Sequence, residues 1–407
     1  MLVNRERAHV LMRESGLDAI IATSPENVAY VADYYCLSHW CNKGTLVFAV
    51  LPADNTISPC LITLALEFTA WAETPSWIVD VRVYGTSYDE IGIRRTRAPL
   101  VPEDEMIVQA CMSSSRLPGW RDVLIKSLAD RGLLRGRLGL DGSGLSHVMW
   151  KEIVSGLPRA AFIEAADLLR QVRMVKSPQE IERLRRSSEI TEQALADTMS
   201  EVQPGVSERE LAHRYNSRVA ELGGIPALTL ITGGRRSGHP HALTSDYVLQ
   251  VGDMVKFDLG CRYSLYWSDT ARAMVVNDAT DRQIKVHQAL LAGEQAALQA
   301  IRPGIKPSEL FDLAVETVRD SGIPDYQRHH VGHGIGIELY DHPLLQSAAA
   351  QSELSGLGNM DVPLEPGMVL NIECPYYVIG EWGLNIEDTV VVTATGIDSL
   401  THLDKDL

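Results

Sequence analysis

The chain has 407 residues, 45% hydrophobic and 22% charged, the balance of an ordinary globular protein and more than one core usually supports, so two domains are expected. Its 53 Asp+Glu against 37 Lys+Arg leave a net charge of -16, which repels nucleic acid and anionic membranes and leaves a small peptide or small molecule as the expected partner. No run approaches the roughly 20 apolar residues that span a bilayer, "MLVNRERAHVLMRESG" is charged from Arg5 onward and makes no secretory leader, and the cysteines show no zinc-like pairing, so a cytoplasmic protein with reduced thiols is expected.

Residues 1–165 alternate helical patterns with short apolar runs, "DAIIAT", "TLVFAVL" and "RLGLDG", as an α/β domain does. In "SPENVAYVADY", Ser24 is placed to cap a helix that Pro25 opens, with Glu26 in the first turn. The turn "SHWCNKG" beyond it carries His39 and Trp40. Residues 166–177 read as a linker. At "SPQEIERLRRSSEITEQAL" a helix starts with Ser177 as cap, Pro178 at the first position and Glu180 completing a capping box, and a second domain is expected over 178–407.

That second part repeats itself. The pattern in "EQALADTMSEVQPGVSERELAHRYNSRVAELGG" returns in "EQAALQAIRPGIKPSELFDLAVETVRDSG", with a Pro-Gly turn (Pro204-Gly205, Pro303-Gly304) followed by a Glu-Leu pair (Glu210-Leu211, Glu309-Leu310). Two amphipathic helix pairs of similar composition are the competing account; a duplicated helix-helix-hairpin unit is the economical one. Each half then ends in a β-rich stretch with two acids, Asp258 and Asp269 in the first, Glu373 and Glu387 in the second. Pairing of the two hairpins would bring the four together.

An ionised carboxylate in an apolar strand must be paired, protonated or bound to a cation. Lys256 and Arg272 lie in the first hairpin, but the second has no Lys or Arg between Glu373 and Glu387. Four facing acids therefore imply metal. One histidine from "HHVGHGIGIELYDHP" would complete five protein ligands, too acidic a set for structural zinc and suited to two divalent ions.

These residues resemble the pita-bread metallopeptidases, which include methionine aminopeptidase, aminopeptidase P and prolidase, with creatinase as a non-peptidase relative. The resemblance covers the whole chain. It implies an α/β (α+β) protein, a creatinase-like N-terminal α/β domain followed by a pseudo-symmetric pita-bread domain. The words "FDLG", "SDTAR", "GHGIG", "NIE" and "IEDTV" match the family's ligand contexts, which assigns Asp258, Asp269, His333, Glu373 and Glu387 to two divalent ions, manganese, cobalt, zinc or iron. His241 in "GHPHAL" matches a histidine that hydrogen-bonds substrate, His329 one that lines the pocket, and Glu373 would also shuttle the proton. His239, His330 and His342 read as polar loop residues with no direct role. Family members pair as homodimers in which N-terminal loops can close the partner's site, so His39 and Trp40 either reach a substrate or simply pack.

Three departures bear on substrate. Tyr340 stands where peptidases of the family have a second catalytic histidine, and His342, two residues on, is the candidate to replace it. A phenol donates a hydrogen bond but cannot take the imidazole's charged state near neutral pH. Asn385 replaces an arginine common two residues before the last ligand, and Cys374 a common proline. Arg235 and Arg236, just ahead of His241, are placed either to bind a substrate carboxylate or to be solvated. The expected function is a dinuclear metal-dependent hydrolase cleaving an amide or peptide bond, an Xaa-Pro dipeptidase or aminopeptidase. The alternative is a non-peptidase enzyme on the same scaffold, a creatinase-like amidinohydrolase, amidase or lyase acting on a small metabolite. A binding module descended from the enzyme is disfavoured by the intact ligand set.

Overall fold

The computed structural model describes residues 1–42, 46–85, 99–112, 117, 119–353 and 361–407, which divide into two compact units, Met1–Val172 and Arg173–Leu407. The first unit is built on a mixed six-stranded sheet. Its strands are β1 (Ala19–Ala22), β2 (Phe48–Pro52), β3 (Cys60–Leu64), β4 (Val81–Tyr84), β5 (Arg137–Leu140) and β6 (Ala161–Glu164), in the order β4-β3-β2-β1-β5-β6. The apolar runs read from the sequence are β1, β2 and β5, three neighbours whose side chains are nearly all buried. The helix Pro25–Ala32 starts as its sequence requires, with the Ser24 hydroxyl accepting from the Asn27 amide. Residues 166–177, expected as a linker, are helical over Ala166–Met174, because Leu169 and Val172 fall one turn apart and are both buried.

The second unit contains a nine-stranded sheet. Its main path comprises β7 (Ile225–Gly233), β8 (Met254–Tyr263), β10 (Thr270–Val275), β11 (Gly332–Gly334), β12 (Asp341–Leu344), β13 (Val369–Glu373) and β16 (Glu387–Val392), ordered β12-β11-β13-β16-β10-β8-β7. Short β9 (Tyr266–Trp267) adds to β8, and β17 (Ile397–Ser399) adds to β16, while β14 (Tyr376–Tyr377) and β15 (Gly383–Leu384) form a separate hairpin. The repeat seen in the sequence is two helix pairs, Pro178–Met199 with Glu208–Glu221 and Asp281–Ala300 with Pro307–Asp320. The first three open on a full capping box, at Ser177 and Glu180, Ser207 and Glu210, and Thr280 and Gln283, while on the fourth the Glu309 carboxylate accepts from the Lys306 amide at 2.8 Å.

Strand alternation then decides what each face carries. On β8, Val255, Phe257, Leu259 and Cys261 pack with Ile190, Leu195, Leu211 and Tyr215 of the first helix pair. Lys256 and Asp258 consequently point to the other face. On β13, Leu370 and Ile372 join Leu290, Ala314 and Val318 of the second pair, which turns Asn371 and Glu373 the opposite way. One sheet thus has an apolar face under the helices and a polar face opposite. No helix among the described residues is long and apolar enough to cross a membrane.

Candidate metal centre

The register of the sheet assembles the site. Asp258 on β8 pairs with Ala271 on β10, Ala271 with Glu387 on β16, and Glu387 with Glu373 on β13, so three acids lie in one row across four strands. Directly opposed residues share a face, as do residues two apart on a strand. Asp269, two before Ala271, and His333, opposite Asn371 and thus two steps from Glu373, fall on that same face. At the centre, His333 Nε2 lies 3.7 Å from Asp269 Oδ2 and 3.9 Å from Glu387 Oε1. The ligand atoms of Asp269, His333 and Glu387 all fall within 4.8 Å of one another, close enough to hold one metal ion, and all three residues are buried.

The glycines of "GHG" are what let His333 sit there. Gly332 has φ +146, and a Cβ on it would meet the Asn371 carbonyl oxygen at 2.1 Å; one on Gly334 would meet that of His342 at 2.1 Å. Only glycine permits strands that close. His333 Nδ1 donates to the Gly334 carbonyl at 2.9 Å, which leaves the Nε2 lone pair facing the two carboxylates.

Supporting bonds fix the acids. Asn371 Nδ2 donates to Glu387 Oε1 at 2.8 Å and to the Asp269 carbonyl at 3.2 Å, and is itself held by Thr389. Asn385 Nδ2 donates to Glu373 Oε2 at 3.3 Å. His330 Nδ1 lies 3.0 Å from Glu373 Oε1. At that geometry His330 Nδ1 makes no hydrogen bond, so the contact is an electrostatic one.

Electrostatics set these acids apart from ordinary surface carboxylates. Burial, and then the neighbouring carboxylates, hold Asp269 and Glu387 well above the usual range. Asp258 is also raised, by burial first, with Lys256 pulling down and Glu373 pushing up. Burial would lift Glu373 too, but His330, with Arg328 and His333, draws it below the usual value. His333 is lowered to about 4 by burial and stays neutral, the form that ligates. His333 Nε2 and Asp269 Oδ1 are both buried and without a hydrogen-bond partner. A divalent cation satisfies the lone pairs and the clustered charge together, so the donor set fits a metal.

The remaining sequence-derived residues fall around this centre or away from it. The Tyr340 ring stacks on His333, centroids 3.9 Å apart, with the residue half-exposed; burial and the four carboxylates push its hydroxyl well up, so it stays a neutral donor. Its turn is gripped by buried Arg173, 2.7 Å from Glu338 and 3.2 Å from Asp341, and by Lys176, 3.7 Å from Asp341. His329 packs edge-on against His330 at 4.2 Å. His342 is buried on β12. His241 is exposed, just beyond the 3-10 turn Gly234–Gly238, on a loop that Lys256 Nζ ties down through the carbonyls of His239 (3.3 Å) and Pro240 (3.1 Å). Arg236 is taken up by fully buried Glu208 at 3.0 Å and by the Leu243 carbonyl at 2.6 Å, while Arg235 is exposed. In the first unit, His39 is buried with Nε2 2.8 Å from the Thr23 carbonyl, and Trp40 stacks on Tyr35 at 6.1 Å. The sequence reading gave no direct role to His330, which is buried with Nδ1 3.0 Å from Glu373 Oε1, and did not single out Asn371 or the Arg173–Lys176 grip. Of these only Asn371 carried a signal, as the residue two before Glu373 on the same strand face.

Comparison with known proteins places the chain among relatives. The model of metallopeptidase family M24 matches residues 182–394, and that of the creatinase/prolidase N-terminal domain matches residues 4–175. The chain is 31% identical over 272 residues to an Xaa-Pro dipeptidase of Pyrococcus furiosus, covering 66% of this chain and 75% of that protein. It is 28% identical over 404 residues to the putative dipeptidase YkvY of Bacillus subtilis, covering 99% and 98%. Among solved structures, the prolidase of Pyrococcus horikoshii OT3 superposes with a TM-score of 0.76 at 25% identity, over 99% of both chains.

Proposed function

The chain belongs to metallopeptidase family M24 and is a metal-dependent hydrolase, and from that footing we propose that it works with two divalent ions and cleaves the bond before proline in short Xaa-Pro substrates. The observation that carries the reading is the row of acids. Asp269, His333 and Glu387 are close enough for one ion, and Asp258 and Glu373 flank them on the same sheet face for a second. When bound, the ions supply Lewis acidity and lower the pKa of a coordinated water.

The chain's own residues do the rest. Glu373 is the group that takes and returns the proton, with Asn385 on one carboxylate oxygen and His330 beside the other fixing its direction. Neutral His333 would hold a metal through its Nε2 lone pair. His241, on its anchored loop, and the Tyr340 hydroxyl are the donors available to the substrate carbonyl as negative charge grows on its oxygen. A homodimer and a cytoplasmic setting belong to the same reading, which the family resemblance and the free cysteines Cys36, Cys41, Cys60, Cys261 and Cys374 support.

Elemental analysis of the purified protein, followed by assay of Xaa-Pro dipeptides and longer Xaa-Pro peptides with manganese, cobalt, zinc or iron, tests the proposal. The expected result is two equivalents of metal and metal-dependent release of the N-terminal residue. One equivalent at saturation would remove the two-ion reading. A fully loaded protein that turns over no Xaa-Pro substrate would favour the second reading, a non-peptidase amidohydrolase on the same scaffold, which the presence of Tyr340 beside His333 supports.

A further inference from the structure

The loop that carries His241 closes on one buried carboxylate. Glu208 stands in the first turn of the helix Glu208–Glu221 and is fully buried. Its Oε1 accepts from the amide of Gly233, the last residue of β7, at 2.8 Å, and its Oε2 accepts from the Ser245 amide at 2.8 Å and the Ser245 hydroxyl at 2.7 Å. Arg236 Nε lies between, 3.0 Å from one oxygen and 3.2 Å from the other, while its Nη2 donates to the Leu243 carbonyl at 2.6 Å. The helix end takes Glu210 for its capping box with Ser207, so Glu208 is free to turn to the loop.

A buried carboxylate must find donors, and this one finds them at both ends of a single segment. Gly233 opens the loop and Ser245 closes it, yet their amides share one side chain. Joining the two stems in this way removes much of the freedom of the residues between them. Two more holds act nearer the crown. Lys256 Nζ takes the carbonyls of His239 and Pro240, just before His241, and Arg236 takes that of Leu243, just beyond it. His241 is itself exposed, so its place is set by this backbone, and it lies within electrostatic reach of Asp258 and of His329.

We propose that Glu208 is a positioning residue for the reaction: it pins both ends of the loop 233–245 and, through Arg236, the Leu243 carbonyl, and so holds the His241 imidazole beside the row of metal-binding acids. This rests on the reading of His241 as a donor to the substrate carbonyl and goes beyond it by naming the group that keeps the donor in place. The amides and the guanidinium around Glu208 can only donate. Glu208→Gln, equal in size, keeps one acceptor oxygen and turns an NH2 group toward the other stem. It releases one end of the loop without opening a cavity.

The test uses the full chain loaded with manganese and an Xaa-Pro dipeptide as substrate. In Glu208→Gln kcat is expected to fall about 10- to 100-fold, the cost of displacing a reacting group slightly, with KM within about twofold and metal content unchanged. Arg236→Met, at a half-buried side chain, gives a smaller loss of the same kind and decides alone if Glu208→Gln does not fold. In a His241→Ala background either substitution adds less than about twofold, because the group they position is gone. Hydrogen exchange by mass spectrometry, on peptides from residues 229–248, shows faster exchange at one stem in Glu208→Gln. Losses that multiply with His241→Ala, or a fall in metal content, overturn the proposal and leave Glu208 as support for the fold. A rise in KM alone in Arg236→Met also overturns it, since Arg236 would then bind substrate. So does unchanged exchange at both stems. Faster exchange at one stem of Glu208→Gln, where the parent protein cleaves no Xaa-Pro substrate, supports the pinned loop and overturns the peptidase reading instead.

Discussion

Glu373 meets its neighbours at both carboxylate oxygens, Asn385 at 3.3 Å on one and His330 at 3.0 Å on the other. Neighbours that orient a ligand typically carry about 10- to 100-fold of activity or metal affinity. His330→Leu should therefore lower kcat by about that factor with KM nearly unchanged, whereas His330→Asn, whose amide nitrogen falls near the place of Nδ1, should keep most of it. Steady-state kinetics with a melting curve for each variant checks this; equal losses in the two variants would mean that His330 only packs. Tyr340→Phe should keep the stack on His333 and the full metal content while losing about tenfold in kcat/KM, the worth of one hydrogen bond to developing charge. Unaltered kinetics would leave the hydroxyl without a part in the reaction. His333 was legible through the resemblance of "GHGIG" to the family's ligand context, and the structure shows why its glycines are needed, since a Cβ on either would meet a neighbouring carbonyl. His330 was not, since sequence alone does not tell which of two adjacent histidines points inward; here His329 is exposed and His330 buried.

Strand patterning made most of the second unit's element layout readable. In "VKFDLGC" the apolar residues alternate with Lys256, Asp258 and Gly260, which already assigns the acids to the face away from the helices. The register between β10 and β16 could not be read in the same way, because it joins Ala271 to Glu387, more than a hundred positions apart. Nor could the charged cluster on the other side of the row. There Arg272 donates to the Glu387 carbonyl at 2.9 Å and to Asp388 at 2.8 Å, and Lys405 reaches Glu294, at 2.6 Å, and Asp388. Arg272 further holds the carbonyls of Leu403 and Asp404. Arg272→Leu leaves Asp388 buried and deprived of its main partner, and should cost about 3–5 kcal/mol in urea unfolding. A loss under about 1 kcal/mol would show that Lys405 alone suffices.

For the molecule as a whole, proton and metal compete for the same oxygens. Asp258, Asp269 and Glu387 are raised by burial and by one another, so folded they bind more protons than unfolded between the usual carboxylate range and their raised values. These three therefore withdraw stability from the metal-free protein as pH rises through that window; Glu373, drawn down, adds stability that is lost only as pH falls below the usual carboxylate range, and so does not offset them there. Metal needs the deprotonated form, so the gain in melting temperature on adding manganese should grow between about pH 5 and about pH 7.5. A gain independent of pH would contradict the assignment of these acids. The central seam of the sheet also has a consequence for biosynthesis. β10 pairs with β16 where Ala271 faces Glu387, so β10 is an open edge for as long as residues 387–392 are still to be made. Until then the unit lacks Glu387 and cannot complete its metal site, and its exposed edge must be kept from other chains until β16 leaves the ribosome.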